Sequence, residues 1–312
     1  MLIFRIIDYN NSLKIRSINL ICQSVSFHEL RSMIHVNKIY NTDCMEFMSL
    51  LTKENTIKID AIVTSPPYNI NKSYSKYNDK RDKNDYLSWL QKIANKSLQI
   101  LKEDGSFFLN VGGRPADYML PFEICSKFIG AGYKLQNTIH WIKSISIEVD
   151  DIGKKNNIIN TDSSIGHFKP IISQRFLSDL HEYIFHFTKK GDITIDKLAV
   201  GVKYQDKSNI GRWKSAKTDK RDRGNIWFIP YNTIQEKRPH PAIFPEKLPY
   251  LCIKLHGIKK NTVIYDPFMG IGTTALACIN LNVEFLGTEI DNKYIEIANE
   301  NIKLRYIKNK KA

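Results

Sequence analysis

Residues 262–289 read TVIYDPFMGIGTTALACINLNVEFLGTE, and this stretch decides which fold the sequence predicts. It begins with an apolar run, turns through two closely spaced glycines, continues as a helix-like segment and ends in a second strand-like run. A strand, a helix and a strand of these lengths are typical of a parallel βαβ unit. Because the same alternation recurs along the chain, we expect an α/β fold with a mostly parallel sheet and helices on both faces.

The same periodicities predict the other elements. A long helix is expected between Asp85, a candidate N-cap, and Gly105, a candidate stop, and Gly257 is expected to cap a helix over residues 248–256. Strands are expected at residues 38–41, 57–64, 106–111, 134–142, 181–188, 262–265 and 283–289, and helices at 43–51, 120–129, from 273 and at 293–305. Residues 144–176 and 196–238 interrupt the alternation, which is typical of functional loops or small subdomains.

The composition indicates a globular protein with a localised positive charge. The chain has 312 residues, 42% hydrophobic and 25% charged, with a formal net charge of +14. Residues 71–84 hold five basic and two acidic residues, residues 196–240 hold eleven and five, and residues 301–312 hold five and none. A chain of this charge attracts polyanions, so nucleic acid, an acidic membrane surface and acidic proteins are the candidate partners. No apolar run is long enough to predict a membrane span.

The cysteines and the first residues carry no recognisable chemistry. Five single cysteines, Cys22, Cys44, Cys125, Cys252 and Cys278, predict neither a disulfide framework nor a zinc site, and no other metal site is expected. We expect most of them to be small core residues in a reducing cytoplasm. Residues 1–32 lack the cleavage site of a signal peptide, and we interpret them as an appendage or as upstream sequence read from the wrong start.

A rigid turn follows the strand at residues 57–64. Residues 64–69 read TSPPYN, and ligands of open parallel sheets bind at the carboxyl ends of strands. Pro66 and Pro67 restrict the backbone, so the turn should present the Ser65 hydroxyl, the Pro66 carbonyl and the Tyr68 ring in one orientation. The alternative is an ordinary strand-ending turn followed by a packed aromatic residue.

A glycine-containing loop follows the strand at residues 262–265. Gly270 and Gly272 let the backbone turn tightly and approach a ligand, and the hydroxyls of Thr273 and Thr274 are expected to cap the next helix. The spacing matches neither the dinucleotide fingerprint nor a P-loop, so a phosphate site is not indicated.

Two acidic residues end neighbouring strands of this unit. Asp266, at the first strand tip, suits a ligand that presents a cation. Glu289, at the tip of the next strand, can accept hydrogen bonds from both hydroxyls of a ribose.

Together these motifs resemble the DNA amino-methyltransferases that use S-adenosylmethionine. The segments DPFMGIGTT (266–274) and GTEIDNKYIEIA (287–298), preceded by TSPPYNI (64–70), follow the β arrangement, in which the catalytic tetrapeptide comes before the cofactor loop. The resemblance covers about residues 33–305. It implies a Rossmann-like methyltransferase sheet whose motif order is circularly permuted, with the chain opened between the second and third strands of that sheet.

The resemblance also implies a cofactor and a site. S-adenosylmethionine is the implied cofactor. The resemblance places Asp43 beside its adenine and Glu289 at its ribose, with His240 and Pro241 in the segment that closes over the methionine end. The implied contacts in the glycine-containing loop are Asp266, Pro267, Phe268, Gly270, Gly272 and Thr273. The implied catalytic residues are Ser65, Pro66, Pro67 and Tyr68.

The implied reaction is direct methyl transfer to an exocyclic amine. Ser65 and the Pro66 carbonyl would accept hydrogen bonds from the amine, and Tyr68 would stack on a base that has left the duplex. Serine before Pro-Pro-Tyr is the pattern of cytosine-N4 enzymes, so we favour cytosine N4, with adenine N6 as the alternative.

Double-stranded DNA is the implied partner. We expect residues 33–195 to form the catalytic half, residues 196–240 a basic target-recognition insertion, and residues 241–312 the cofactor-binding half with a basic tail. The candidate DNA contacts are Lys72, Lys80, Arg81, Arg212, Trp213, Lys214, Lys220, Arg221 and Arg223.

Several alternatives remain open. An RNA or protein-glutamine methyltransferase would share the fold, although its cofactor loop usually comes first in the sequence. A non-catalytic DNA-binding module is less consistent with the intact cofactor and catalytic motifs. A different nucleotide-binding enzyme is less consistent with the basic insertion. The methyltransferase, a monomer or a homodimer, would protect host DNA alongside a restriction endonuclease that it need not contact.

Overall fold

The computed structural model of the chain describes residues 34–69, 76–113, 117–152, 161–166, 174–212, 218–230 and 243–311. The chain divides into two compact units, Met1–Ile34 and His35–Ala312, and the first lies outside the described residues except for Ile34. The prediction for residues 1–32 therefore also lies outside them, as do the predicted site residues Lys72, Trp213, Lys214, His240 and Pro241.

An eight-stranded sheet forms the centre of the second unit. Its strands are β1 (Lys38–Asn41), β2 (Ile59–Thr64), β3 (Leu101–Val111), β4 (Lys134–Ile142), β7 (His181–Thr188), β8 (Ile226–Phe228), β9 (Val263–Asp266) and β10 (Glu284–Glu289). Their order across the sheet is β1-β10-β9-β2-β3-β7-β4-β8. Strand β7 is antiparallel to both of its neighbours, and the other described strand pairs of this sheet are parallel.

The strand order confirms the permuted α/β fold. Strand β9 lies beside β2 although β2 comes near the beginning of the chain and β9 near its end. From β9 the chain continues to β10 on one side, and from β2 it continues to β3 on the other side. The boundary between β9 and β2 is therefore the switch point, where open α/β sheets bind their ligands.

In the part of the chain that the structure describes, six α-helices cover the sheet. They are α1 (Cys44–Glu54), α2 (Lys83–Ile100), α3 (Leu120–Gly130), α4 (Lys247–His256), α5 (Thr273–Leu281) and α6 (Asn292–Lys311). Helices α1, α2 and α3 pack side by side, as do α4, α5 and α6. Ala61 and Val63 of β2 share a core with Leu251 of α4, whereas Phe107 of β3 packs edge-on against Phe128 of α3. Both faces of the sheet are therefore buried, as expected.

The described cysteines confirm the expectation of small core residues. Cys44, Cys125, Cys252 and Cys278 are buried and unpaired, and Cys22 lies outside the described residues. Burial raises the pKa of the Cys125 thiol to about 11, which keeps it protonated and unreactive at neutral pH.

Helix α2 begins and ends earlier than the sequence predicts. Its N-cap is Asp82, whose carboxylate accepts two backbone N–H groups at 2.8 and 3.4 Å, and not Asp85. The helix ends at Ile100 because Leu101 enters β3 and pairs with β2. Gly105 lies inside β3, where an added Cβ would come within 2.6 Å of the Leu101 Cγ, so this glycine is needed for close packing rather than as a helix stop.

The two interruptions of the alternation contain structure of their own. A small antiparallel hairpin, β5 (Ile145–Ile147) and β6 (Ser163–Ile165), lies in the first. Strand β8, with Trp227 buried, lies in the second and extends the main sheet beside β4. Across the part of the chain that the structure describes, none of the helices is long and apolar enough to span a membrane.

The stability of the central strand pair provides a test of the fold. The Asp60 carboxylate is buried between β2 and β9 and accepts hydrogen bonds from the Val263 backbone N–H at 2.9 Å and from Lys102 Nζ at 2.8 Å. We expect Asp60→Ala to lower the free energy of unfolding in urea by about 1–3 kcal/mol, because a buried N–H loses its acceptor. Glu103→Ala, which removes an exposed partner of Lys189, should cost much less, because exposed ion pairs contribute little to stability. Equal losses would contradict this role of Asp60.

Candidate active site

The candidate site lies at one edge of the sheet. Asn41 pairs with Glu289, so β1 and β10 end together, and Thr64 at the end of β2 pairs with Leu109 near the end of β3. Asp266 ends β9, which lies between β10 and β2. Because β7 is antiparallel, its first residues lie at this edge rather than its last. The edge therefore gathers both predicted motifs and the beginning of β7.

Asp266 joins the two motifs. It is buried, and its carboxylate accepts hydrogen bonds from Thr64 Oγ1 at 2.6 Å, Thr274 Oγ1 at 2.6 Å and the Phe268 backbone N–H at 2.9 Å. Thr64 and Asp266 are 202 residues apart in the sequence. Burial raises the pKa of Asp266 to about 6, although the three donors oppose this shift. The turn after β2 and the loop after β9 are thus fixed to one another.

The glycine loop has the predicted backbone, but a different role for its threonine hydroxyls. Gly270 and Gly272 have φ values of 53° and 90°, and an added Cβ on Gly272 would come within 3.1 Å of the Ala298 Cβ. Helix α5 has Gly272 at its N-cap and no side-chain cap. The predicted capping by the two threonines is therefore wrong: Thr274 donates to Asp266 because the buried carboxylate needs a donor there.

Glu289 and Asp43 occupy neighbouring strand tips, as the sequence predicts. One oxygen of Glu289 accepts the Gly270 backbone N–H and the other accepts the Asp291 backbone N–H, both at 2.9 Å. Burial raises the pKa of Glu289. A carboxylate oxygen has two lone-pair sites, so each oxygen can still accept a ligand hydroxyl. Asp43 is exposed and caps α1 by accepting the Met45 backbone N–H at 2.7 Å.

The turn after β2 carries a group of hydrogen-bonded side chains. Ser65 Oγ donates to the Tyr68 hydroxyl at 2.9 Å, and that hydroxyl donates to Glu182 Oε2 at 2.8 Å. The Asn110 amide donates to the Tyr68 oxygen at 2.8 Å and to Glu182 Oε2 at 2.7 Å. Burial, and then the negative charge of Glu182, raise the pKa of Tyr68 well above its ordinary value. Tyr68 therefore keeps its proton at neutral pH.

Three members of this group were not predicted from the sequence. Asn110 lies near the end of β3, Glu182 near the beginning of β7, and Lys143 directly after β4 with its Nζ 3.3 Å from Glu182 Oε1. In the sequence, Asn110 and Glu182 are recognisable only as polar residues close to one end of an apolar strand, in SFFLNV and in HEYIFHFT.

The backbone of the turn is held from outside. The Tyr86 hydroxyl donates to the Pro67 carbonyl at 2.7 Å. Asn69 has a φ of 57°, donates its backbone N–H to Asp79 at 2.8 Å and accepts the Arg81 backbone N–H at 2.6 Å. The rigid turn expected from the two prolines thus also depends on later residues of the chain.

Arg81 is connected to the loop after β9 through the ring of Trp89. Its guanidinium is 4.8 Å from the centre of the Tyr77 ring and 4.9 Å from that of Trp89, and the Trp89 ring is 5.5 Å from Phe268. Such a cation–π position stabilises a packed arginine. Lys80, its neighbour, is exposed.

In the basic segment around β8, some cationic side chains are exposed to solvent and one donates a hydrogen bond within the protein. Arg212, Lys220 and Arg221 are exposed. Arg223 is half-buried, and its Nε donates to the Val200 carbonyl at 2.8 Å.

Comparison with known proteins identifies the class to which this fold and site belong. The model of the N6 and N4 methyltransferases, described as DNA methylase, matches residues 59–300. The chain belongs to this DNA methylase family, the S-adenosylmethionine-dependent amino-methyltransferases that its motifs resemble.

Individual relatives agree with this assignment. Type II methyltransferase M.BglII of Bacillus subtilis is 31% identical over 276 residues, covering 85% of this chain and 68% of the relative. Type II methyltransferase M.SmaI of Serratia marcescens is 27% identical over 300 residues, covering 88% and 93%. The solved structure of the cytosine-N4-specific PvuII DNA methyltransferase is 19% identical, with a TM-score of 0.56 over 86% of this chain and 90% of that one, and shows the shared fold.

The raised pKa of Asp266 gives stability a defined pH dependence. An Asp of an unfolded chain titrates near pH 3.9, whereas Asp266 in the folded protein has a pKa of about 6. Between these values the folded state holds the extra proton, so the contribution of the protonated carboxyl is complete below about pH 4 and is lost as the pH rises through about 6. We expect wild-type stability to fall relative to Asp266→Asn by roughly 2 to 3 kcal/mol over this range in urea unfolding. Parallel pH curves would contradict the raised pKa.

Proposed function

We propose that this protein methylates N4 of cytosine within a specific sequence of duplex DNA, using S-adenosylmethionine and a base that has left the duplex. The observation that carries the proposal is the buried hydrogen bond between Thr64 and Asp266, at 2.6 Å. It holds the turn with Ser65 against the loop with the two glycines, so a base bound at the first can meet a cofactor bound at the second.

The residues at the strand tips fit the proposed cofactor. The glycine loop allows close approach of the amino-acid end of a ligand. Glu289 keeps lone pairs that can accept the hydroxyls of a ribose, and the buried carboxylate of Asp266 suits a positive charge. When bound, S-adenosylmethionine supplies an electrophilic methyl group on a sulfonium. The proposed contacts are Asp43, Asp266, Pro267, Phe268, Gly270, Gly272, Thr273 and Glu289.

The turn after β2 suits an exocyclic amine. Ser65 donates its hydroxyl proton to Tyr68, so its oxygen keeps lone pairs for a hydrogen bond from the amine. With the Pro66 carbonyl as a second acceptor, the amine nitrogen would turn its lone pair toward the methyl group. The Tyr68 ring is proposed to stack on the base, which offsets part of an unstacking cost of a few kcal/mol.

The choice of cytosine over adenine depends on Ser65. A neutral hydroxyl in front of Pro-Pro-Tyr is the pattern that favours cytosine N4, and the PvuII enzyme of the same fold is named as cytosine-N4-specific. Adenine N6 is the alternative, since a hydroxyl acceptor also suits that amine. The proposed biological role is protection of host DNA alongside a restriction endonuclease.

Ser65 provides the test of the reaction. We expect DNA treated with the wild-type protein to yield N4-methylcytosine when digested and analysed by mass spectrometry. Ser65→Ala should slow single-turnover transfer about 10²-fold, as removal of one oriented hydrogen-bonding group does, with little change in DNA affinity. Ser49→Ala removes a hydroxyl that bonds within α1 and should leave the rate unchanged. N6-methyladenine as the product would select the alternative base, and an unchanged rate in Ser65→Ala would remove Ser65 from the mechanism.

The exposed cations are proposed to contact DNA phosphates. Arg212, Lys220 and Arg221 are exposed in the basic segment, and Lys80 is exposed close to the turn after β2. Arg81 and Arg223 have internal partners, so we propose that they support the interface rather than dominate it.

Salt dependence locates this interface. We expect the double charge reversal Lys220→Glu with Arg221→Glu to weaken DNA binding and to reduce the slope of log affinity against log salt by about one for each lost phosphate contact. The double reversal Lys259→Glu with Lys260→Glu makes the same charge change at the opposite edge of the sheet, before β9, and should leave the slope unchanged. Fluorescence anisotropy over a salt series measures both, and equal slopes in all variants would place the DNA elsewhere.

A further inference from the structure

Glu182 ends a directional chain of hydrogen bonds that begins at the proposed target-base site. The Ser65 hydroxyl donates to Tyr68 at 2.9 Å, and the Tyr68 hydroxyl donates to Glu182 Oε2 at 2.8 Å. The Glu182 side chain is only 14% exposed. The nearly buried Glu182 carboxylate accepts the last hydrogen bond of the chain, so it is placed to receive a proton that is passed along it.

The Asn110 amide fixes the direction of this chain. Its Nδ2 lies 2.7 Å from Glu182 Oε2 and 2.8 Å from the Tyr68 oxygen. The opposite amide orientation would bring two acceptor oxygens together, so the carboxylate selects the orientation with the donor inward. The Tyr68 hydroxyl has two acceptors, the Asn110 backbone carbonyl at 3.4 Å and Glu182 Oε2 at 2.8 Å, and the shorter contact directs its proton toward Glu182.

The other charged groups near Glu182 either contact it directly or lie off the hydrogen-bond chain. Lys143, after β4, has its Nζ 3.3 Å from Glu182 Oε1, the carboxylate oxygen that does not accept from Tyr68. Asp179 and His181, from the chain before and at the start of β7, lie 3.6 Å from each other. Among the described residues the hydrogen bonds from Ser65 lead through Tyr68 to Glu182 and not to these two.

We infer that Glu182 is a positioning residue for methyl transfer, which receives through Tyr68 and Ser65 the proton that the target amine loses. The inference rests on the proposed function, because it requires an amine hydrogen-bonded to Ser65. It goes beyond that function by assigning the fate of the proton and a role to a residue outside the Pro-Pro-Tyr turn.

The proton movement balances as follows. The amine nitrogen forms its bond to the methyl carbon with its lone pair, while the carbon–sulfur bond breaks and its electron pair stays on sulfur. One N–H proton of the amine, now positively charged, passes to Ser65 Oγ. The Ser65 proton passes to the Tyr68 oxygen, and the Tyr68 proton passes to Glu182 Oε2. The methylated base is neutral, Glu182 is a carboxylic acid, and it then releases the proton to water.

Glu182→Gln tests this role. A glutamine oxygen can still accept from Tyr68, but it cannot take a proton, so we expect single-turnover transfer to slow about 10²-fold. The fall of the wild-type rate toward low pH should be lost in Glu182→Gln, and Glu182→Asp should restore part of the rate and of that pH dependence. Glu103→Gln, at an exposed ion pair with Lys189, is the matched control and should behave as wild type.

Two further measurements separate proton acceptance from a merely structural role. Without cofactor, DNA carrying 2-aminopurine at the target position mapped for the wild type should bind Glu182→Gln with the wild-type affinity and fluorescence increase. Tyr68→Phe combined with Glu182→Gln should be no slower than the slower single variant, since both interrupt one chain.

The outcomes are distinct. Wild-type transfer rates in Glu182→Gln, an equal loss of base binding, or additive losses in the double variant would each overturn the inference while the proposed function stands. If the wild-type protein methylates no DNA, the proposed function is wrong and the inference falls with it.

Discussion

The hydrogen bond between Thr64 and Asp266 is the interaction on which the site depends. Strands β2 and β9 pair at Ala61 with Ile264 and at Ile62 with Tyr265. The hydrogen bond between the Thr64 and Asp266 side chains extends this contact to the edge of the sheet where the candidate site lies. A buried carboxylate is costly unless donors surround it. Because Asp266 takes its donors from the end of β2, the loop after β9 and the start of α5, separating any of these would leave it unsatisfied.

This single buried acid therefore organises two half-sites. On one side, Glu289 binds the loop through the Gly270 backbone N–H and keeps lone pairs for a ligand. On the other side, Ser65 and Tyr68 form a chain of donors that ends on the Glu182 carboxylate and points away from the proposed base. Orientation of two reactants is worth several kcal/mol of barrier, so a fixed relation between the half-sites matters more than any single contact within them.

The sequence predicted what depends on local pattern and missed what depends on strand direction. The bounds of β7 were predicted correctly as 181–188, but a parallel strand would have placed residue 188 at the site. Its antiparallel pairing with β3 and β4 is non-local, and it alone brings Glu182 to Tyr68. The same reason explains Thr274: its capping role was a local inference, whereas a buried carboxylate from another element decides its partner.

The positive charge of the chain suggested a nucleic-acid partner, but some of the cationic residues make contacts within the protein instead. Arg81 packs against the rings of Tyr77 and Trp89, and Arg223 donates to the Val200 carbonyl, so both of these candidate DNA contacts already have partners within the protein. Affinity for DNA depends on the counterions displaced by cations that reach phosphates, not on the formal charge of the chain. The exposed Arg212, Lys220 and Arg221 are thus the proposed phosphate contacts, while Arg81 links the turn after β2 to the loop after β9 through Trp89 and Phe268.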